Sequence, residues 1–207
     1  MDIIAVTGRM GSGKSLVCEQ LVSWGAHYVR ADAEARRIMQ EDPAVVAYVQ
    51  SLFGPHAYDP SGALVPSVVA PVLFADGTKR RALEAKVHPR VTDSLLATLA
   101  TLRARDPEDQ PPALVYEAAL FGERPSWPSL AEVWLVRAPL SHRQARAEAM
   151  GITSDVLHAR DTAQPTDEQQ RRFCDREIVN DGSLASLARQ TRMAWDAYLS
   201  ARQTPPT

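Results

Sequence analysis

The sequence predicts an α/β fold: a parallel sheet covered by helices on both faces and interrupted by a long helical insertion. Three observations predict it. The apolar run Ile3-Ile4-Ala5-Val6-Thr7 reads as a buried strand and passes straight into G-R-M-G-S-G-K-S at Gly8 to Ser15. Short apolar segments then alternate with amphipathic stretches, the pattern of parallel strands joined by helical crossovers. From Ala33 to about Arg105 that alternation stops and helix follows helix. Ligands of such a sheet bind beyond the carboxyl ends of its strands, so residues that follow strands are the first candidates for function.

The octapeptide after the first strand is a complete Walker A phosphate loop, and it implies a nucleoside triphosphate. Backbone N–H groups can wrap a phosphate tail only where no Cβ intervenes, hence Gly8, Gly11 and Gly13. Met10, Ser12 and Leu16 complete the predicted nucleotide-binding stretch. A helix starting near Lys14 aims its positive end at the anion. Lys14 can reach the β- and γ-phosphates, and the Ser15 hydroxyl can ligate Mg²⁺.

The remaining elements follow in order. Lys14 to Trp24 carries Val17, Leu21 and Trp24 at helical spacing and stops at Gly25. Ala26 to Val29 reads as a second strand. The helical insertion is punctuated at Asp42-Pro43, Gly54-Pro55, Asp59-Pro60-Ser61-Gly62 and His88-Pro89. Asp106 to Pro112 is a polar loop, and Ala113 to Tyr116 is a buried strand ending in the acid Glu117. Glu132 to Val136 is the next strand, and Ser141 caps a helix running through Met150. Ser154 to Phe173 is helical with a break at Pro165. Glu177 to Val179 is a last strand, Asn180-Asp181-Gly182 a turn, and Ser183 to Ala201 a closing helix with Leu184, Leu187, Ala188, Trp195 and Leu199 inward. The four tryptophans with Phe53, Tyr58 and Phe74 read as core, and the tail from Gln203 to Thr207 as frayed.

Bulk properties exclude several classes. At 207 residues the chain suits one α/β core with appendages. Hydrophobic residues at 45% and charged residues at 23% are ordinary for a globular protein. Lys plus Arg number 23 against 25 Asp plus Glu, so there is no net basic field for a nucleic acid. Cys18 and Cys174 stand far from any zinc spacing. No apolar run approaches the roughly 20 residues that span a bilayer, and Met1-Asp2 lead into the first strand without a basic, apolar leader. The expectation is a cytoplasmic protein with small-molecule substrates and no nucleic-acid, membrane or obligate protein partner.

Other residues could carry chemistry. Asp32 follows the second strand, where it can deprotonate an attacking hydroxyl or, with equal weight on position alone, cap a helix starting at Ala33. Glu117 can ligate Mg²⁺ through water, hold an acceptor or be a surface cap. Arg143 and Arg146, three apart on one helical face, can clamp a triphosphate or form a solvated stripe. His88 among helices reads more simply as structural than as catalytic.

Beyond the phosphate loop, the chain resembles the dephospho-CoA kinases over nearly its whole length. Val29-Arg30-Ala31-Asp32 with Ala35-Arg36 is similar to that family's Asp-Ala-Asp block. Leu52-Phe53-Gly54, Gly62, Val72 to Asp76 and, most specifically, Leu83-Glu84-Ala85-Lys86-Val87-His88-Pro89-Arg90-Val91 resemble its helical acceptor domain. Ile178 to Gly182 resembles the turn beside its nucleotide. The resemblance implies a P-loop kinase three-layer core at 1–31, 111–140 and 166–207, a helical acceptor (CoA) domain at 32–110 and a lid at 141–165. It implies transfer of the ATP γ-phosphoryl group to the ribose 3′-hydroxyl of dephospho-CoA, with ATP and Mg²⁺ bound. Asp32 would be the base, with Lys14 and Arg146 also catalytic. Arg143 and Asn180 would join the nucleotide site, and Asp32, Arg36, His88 and Glu117 would hold the acceptor. Arg143 or Arg146 would enter the site only when both substrates are bound.

Three positions depart from the family pattern: Arg30 replaces the first acid of the block, Glu117 to Glu123 keeps its terminal acids but lacks the usual proline, and Met150 stands where a second lid arginine is expected. They put rate and lid geometry in question more than fold. Two competing readings are a P-loop kinase for another small acceptor, such as a nucleoside monophosphate, and a nucleotide-binding module without transferase activity. The His-Pro block argues against the first, and intact Lys14, Ser15 and Asp32 against the second.

Overall fold

The computed structural model describes residues 1–119, 121 and 123–203. The tail 204–207, Leu120 and Gly122 of the acidic block, and the side chains of Phe74 and Gln203 lie outside that description. The chain divides into two compact units, Met1–Arg30 with Leu102–Thr207, and Ala31–Thr101.

The first unit is built on five parallel strands in the order β2-β3-β1-β4-β5. They are β1 (Ile3–Thr7), β2 (His27–Arg30), β3 (Leu114–Glu117), β4 (Leu130–Arg137) and β5 (Arg176–Val179). All of β1 is buried, which its unbroken apolar run requires of a central parallel strand. Winding reverses across β1, with β2 and β3 on one side and β4 and β5 on the other, so a crevice opens beyond its carboxyl end. Register pairs Glu117 with Val6 and with Arg30, which brings the acid of β3 to that edge.

On one face, α1 (Lys14–Ser23) and α9 (Leu184–Gln203) cover Ile4, Val6, Val115, Trp134, Val136 and Ile178 with Val17, Leu21, Leu187 and Trp195. The Trp195 and Tyr198 rings stack at 5.5 Å. The remaining helices of this unit are α6 (Leu140–Ala149), α7 (Ser154–Ala163) and α8 (Asp167–Arg171). Gln170 of α8 is buried beneath Thr7, whose hydroxyl donates to Gln170 Oε1 at 3.0 Å.

The second unit holds α2 (Ala31–Glu41), α3 (Pro43–Phe53), α4 (Pro66–Ala75) and all but the last residues of α5 (Gly77–Arg103). Asp42 caps α3 by accepting from the Ala44 and Val45 N–H groups, with Pro43 at the first helical position. The turn at Asp59 is closed by its carboxylate, which accepts from the Ser61 and Ala63 N–H groups. Leu83, Val87, Val91, Leu95 and Leu99 of α5 are buried at every fourth position.

Several expectations are corrected. His88-Pro89 does not end a helix, because α5 runs through it. Ala85 and Pro89 both lie on the exposed face, so the carbonyl that Pro89 leaves without a partner is on the solvated side. Asp32 is not an N-cap: α2 starts at Ala31, directly after β2, and Asp32 sits inside its first turn, where a carboxylate suits the dipole. Ser141 does not cap α6, since Pro139 takes that place without a side-chain bond. Leu184 is 69% exposed, one turn ahead of the buried stripe Leu187, Thr191, Trp195 and Tyr198. Trp134 and Trp195 are core, but Trp24, Trp127, Phe53 and Tyr58 are half-buried. Trp24 lies under the Arg192 guanidinium, Trp127 packs edge-on against Tyr116 at 5.0 Å, and Tyr58 donates to the Met39 carbonyl. Among the described residues no helix is long and apolar enough to cross a membrane.

Candidate active site

The phosphate loop leaves β1 at Thr7 and enters α1 at Lys14. Gly13 has φ +100°, and a Cβ there would lie 2.3 Å from Asn180 Nδ2, so any other residue would be strained and would clash. Gly8 is closed in the same way by the Val136 carbonyl, 2.0 Å from the place of its Cβ. No side chain caps the start of α1, which suits an anion in that position.

Lys14 is buried, and its ammonium donates to the carbonyls of Gly8 at 2.8 Å and Arg9 at 3.3 Å. It thus lies folded over the cradle that a phosphate would fill. Ser15 Oγ donates to Glu117 at 3.0 Å, and the Tyr28 hydroxyl donates to the same carboxylate. Burial first, then the bond to Glu117, pushes the Tyr28 phenol well above its ordinary pKa. Burial, then the Glu117 charge, does the same to the Cys18 thiol. A hydroxyl facing a carboxylate is the hard-oxygen set that Mg²⁺ favours, and it fits a cation arriving with a triphosphate. Among the described residues no group of three or more His, Cys, Asp or Glu could hold a metal.

The outer wall of the loop is arginine-rich. Arg146 donates to the carbonyls of Gly11 at 3.0 Å and Ser12 at 3.4 Å and to Asn180 Oδ1 at 3.1 Å. Asn180 is buried and returns a bond from Nδ2 to the Ser12 carbonyl at 2.9 Å. Arg143 is 4% exposed and forms a bidentate pair with Asp161 while donating to the Met10 carbonyl. Both arginines are already engaged on the loop. The Ser12 hydroxyl is buried with no hydrogen-bond partner among the described residues, an unsatisfied group inside a predicted anion site.

The structure therefore brings Gly8 to Leu16, Glu117, Arg143, Arg146 and Asn180 together in the first unit. Asp32, Arg36 and His88 belong to the second unit and are exposed there. Asp32 makes no hydrogen bond or ion pair among the described residues. Sequence reasoning missed Tyr28, Arg9, Asp161 and Gln170. Nothing in their spacing marks them, because each acts through a partner distant in sequence.

A family model for dephospho-CoA kinase matches residues 2–186. The dephospho-CoA kinase of Chlorobaculum tepidum is 31% identical over 202 residues, covering 96% of this chain and 95% of its own. The crystal structure of TT1252 from Thermus thermophilus has a TM-score of 0.78 at 33% identity and covers 96% of this chain and 97% of its own. A dephospho-CoA kinase from Campylobacter jejuni shares the fold, with a TM-score of 0.61 at 20% identity over 95% of this chain and 96% of its own. The family match begins ahead of β1 and ends in the first turn of α9, taking in both units and every part of the phosphate site. The chain belongs to the dephospho-CoA kinase family.

Proposed function

We propose that this protein transfers the γ-phosphoryl group of ATP to the ribose 3′-hydroxyl of dephospho-CoA, releasing CoA and ADP. The observation that carries the reading is the Lys14–Ser15–Glu117 constellation at the mouth of a glycine cradle. In the reaction the 3′-oxygen bonds to the γ-phosphorus as the bond to the β–γ bridging oxygen breaks. Asp32 accepts the proton of the hydroxyl. Lys14 turns from the loop carbonyls to the β- and γ-phosphates. Ser15 and Glu117 are the residues that would hold Mg²⁺, which when bound neutralises charge across the phosphate oxygens. Arg143 and Arg146 support the loop from outside, and Arg146 reaches a phosphate only by giving up carbonyl bonds.

On this reading the helical unit carries the acceptor-side residues Asp32, Arg36 and His88, α6 and α7 form the lid, and the protein works in the cytoplasm on two small molecules. Water exclusion is the physical need a lid meets, since an open site hydrolyses ATP. The test is a coupled ADP-release assay with Mg-ATP and dephospho-CoA, beside a panel of nucleoside monophosphates and a blank without acceptor. ADP formed only with dephospho-CoA, with CoA as product, is expected. Turnover with a monophosphate instead, or ATP binding without acceptor-dependent turnover, would overturn the assignment.

A further inference from the structure

Asp161, near the end of α7, meets two guanidinium groups. Its carboxylate takes both Nη atoms of Arg143, at 2.8 and 2.6 Å, and lies 3.7 Å from Arg9 Nη1. Its backbone carbonyl accepts from Arg9 Nη2 at 2.6 Å. Arg9 and Met10 are the two variable residues of the phosphate loop before Gly11. Arg143 donates to the Met10 carbonyl, and Arg160, the residue before Asp161, reaches the Met10 sulfur at 3.5 Å. The Arg143 backbone also lies against Gly11, its carbonyl 2.8 Å from where a Cβ would be.

These contacts converge on one carboxylate. Arg143, Arg146, Arg160 and Lys14 all touch the loop, Arg9 belongs to it, and Asp161 is an acid on its outer wall. The Asp161 side chain is 12% exposed, and that of Arg143 is 5% exposed. In so dry a place a bidentate pair fixes both groups far more firmly than a surface ion pair does. Without that carboxylate, the two guanidinium groups lose the charge between them and Arg143 loses its bidentate anchor beside the Met10 carbonyl, while Arg9 keeps its bond to the Asp161 backbone carbonyl.

Resting on the reading of this loop as the ATP site, we propose that Asp161 is a positioning residue for nucleotide binding. It holds Arg9 and Arg143 against the outer wall of the phosphate loop, so that Met10 and Gly11 keep the curvature that turns N–H groups toward phosphate. It touches no reacting atom. Its effect is on the affinity for ATP.

The test is calorimetric ATP binding to the full chain without acceptor, with thermal melting of each variant alongside. Asp161→Asn keeps the shape and removes the charge. It is expected to bind ATP about tenfold more weakly, with kcat at saturating ATP changed far less. Because Asn leaves Arg143 buried without its counter-charge, which by itself costs stability, the double variant Arg143→Met/Asp161→Leu supplies the control. Apolar residues in place of a buried ion pair usually preserve stability. Weakened ATP binding in Asp161→Asn and in the double variant, the latter with wild-type melting, supports positioning, whereas weakening in the double variant alone means that Arg143 acts on ATP without Asp161 and overturns it. Wild-type melting with wild-type affinity means the pair only glues α6 to α7, and overturns it. Tighter ATP binding in Asp161→Asn means the carboxylate competes with phosphate for the arginines, and equally overturns it. Failure of the wild-type protein to bind ATP would instead remove the functional reading.

Discussion

On the proposed mechanism, Asp32 and Lys14 separate the two tasks of a phosphoryl transfer. Asp32 is an exposed carboxylate with no partner among the described residues, whereas Lys14 is buried and bonded to its own loop. Asp32→Asn is expected to keep ATP affinity and nearly abolish transfer, and equal turnover in the variant would remove Asp32 from the mechanism. Lys14→Ala should weaken both ATP binding and rate, the latter by roughly a hundredfold or more, as for other preorganised charge-stabilising donors. Neither cysteine is placed to react. Burial, then the neighbouring Asp175 charge, pushes the Cys174 thiol up to about 12, and Cys18 is more deeply buried. Iodoacetamide at pH 8 should therefore label the native protein slowly and the denatured chain quickly, because the thiolate is the nucleophile. Rapid native labelling would contradict the burial of Cys18 and the raised pKa of the half-buried Cys174.

Among the elements, α3 shows how one side chain serves two purposes. Asp42 caps the helix and also pairs with Arg90 of α5 at 2.7 Å. The Arg90 guanidinium holds its carboxyl below the usual carboxylate value. Since the folded value is the depressed one, the charge contributes its full stability above the ordinary value of about 3.9 and loses it as pH falls through the folded value. Asn caps helices as well as Asp, so Asp42→Asn isolates the ion pair. The variant should melt below wild type at pH 7, with the gap closing in acid as pH falls below the ordinary carboxylate value and the wild-type carboxyl protonates. A gap that persists in acid would assign the effect to the cap. The α5 helix teaches a different lesson. Pro89 is a sound stop signal by local rules, yet the buried stripe from Leu83 to Leu99 crosses it, and packing of that stripe outweighs one lost hydrogen bond.

For the molecule as a whole, the first unit depends on one core face. Trp195, 1% exposed, joins α9 to the sheet beside Trp134, Ile178 and Leu187. Trp195→Ala should cost about 3–5 kcal/mol, read by chemical denaturation, because the surrounding side chains cannot collapse into so large a void. A loss under about 1 kcal/mol would mean that α9 is not integral to the core. The site's charge balance is also a property of the whole unit. The chain carries a formal net charge of only −2, yet five cationic side chains gather on one loop. A chain of near-neutral net charge can in this way concentrate positive potential at a phosphate loop.

Much of this was legible in the residues themselves. The unbroken apolar run of β1, the glycine spacing of the phosphate loop, the acid ending β3 and the helical insertion are local patterns, and local sterics and periodicity decide them. The caps foreseen at Ser141 and Asp32 failed because a helix start depends on where the preceding strand releases the chain, which sheet register sets. Trp127 and Phe53 could not be told from core residues by type alone. Tyr28 on Glu117, Gln170 under Thr7 and Asp161 on Arg143 lie 89, 163 and 18 residues from their partners. Sequence alone determined that this chain folds a phosphate loop onto a parallel sheet, because each requirement lies within a few consecutive residues. Only the tertiary structure decided which side chains brace that loop, because such partners meet through the packing of whole elements.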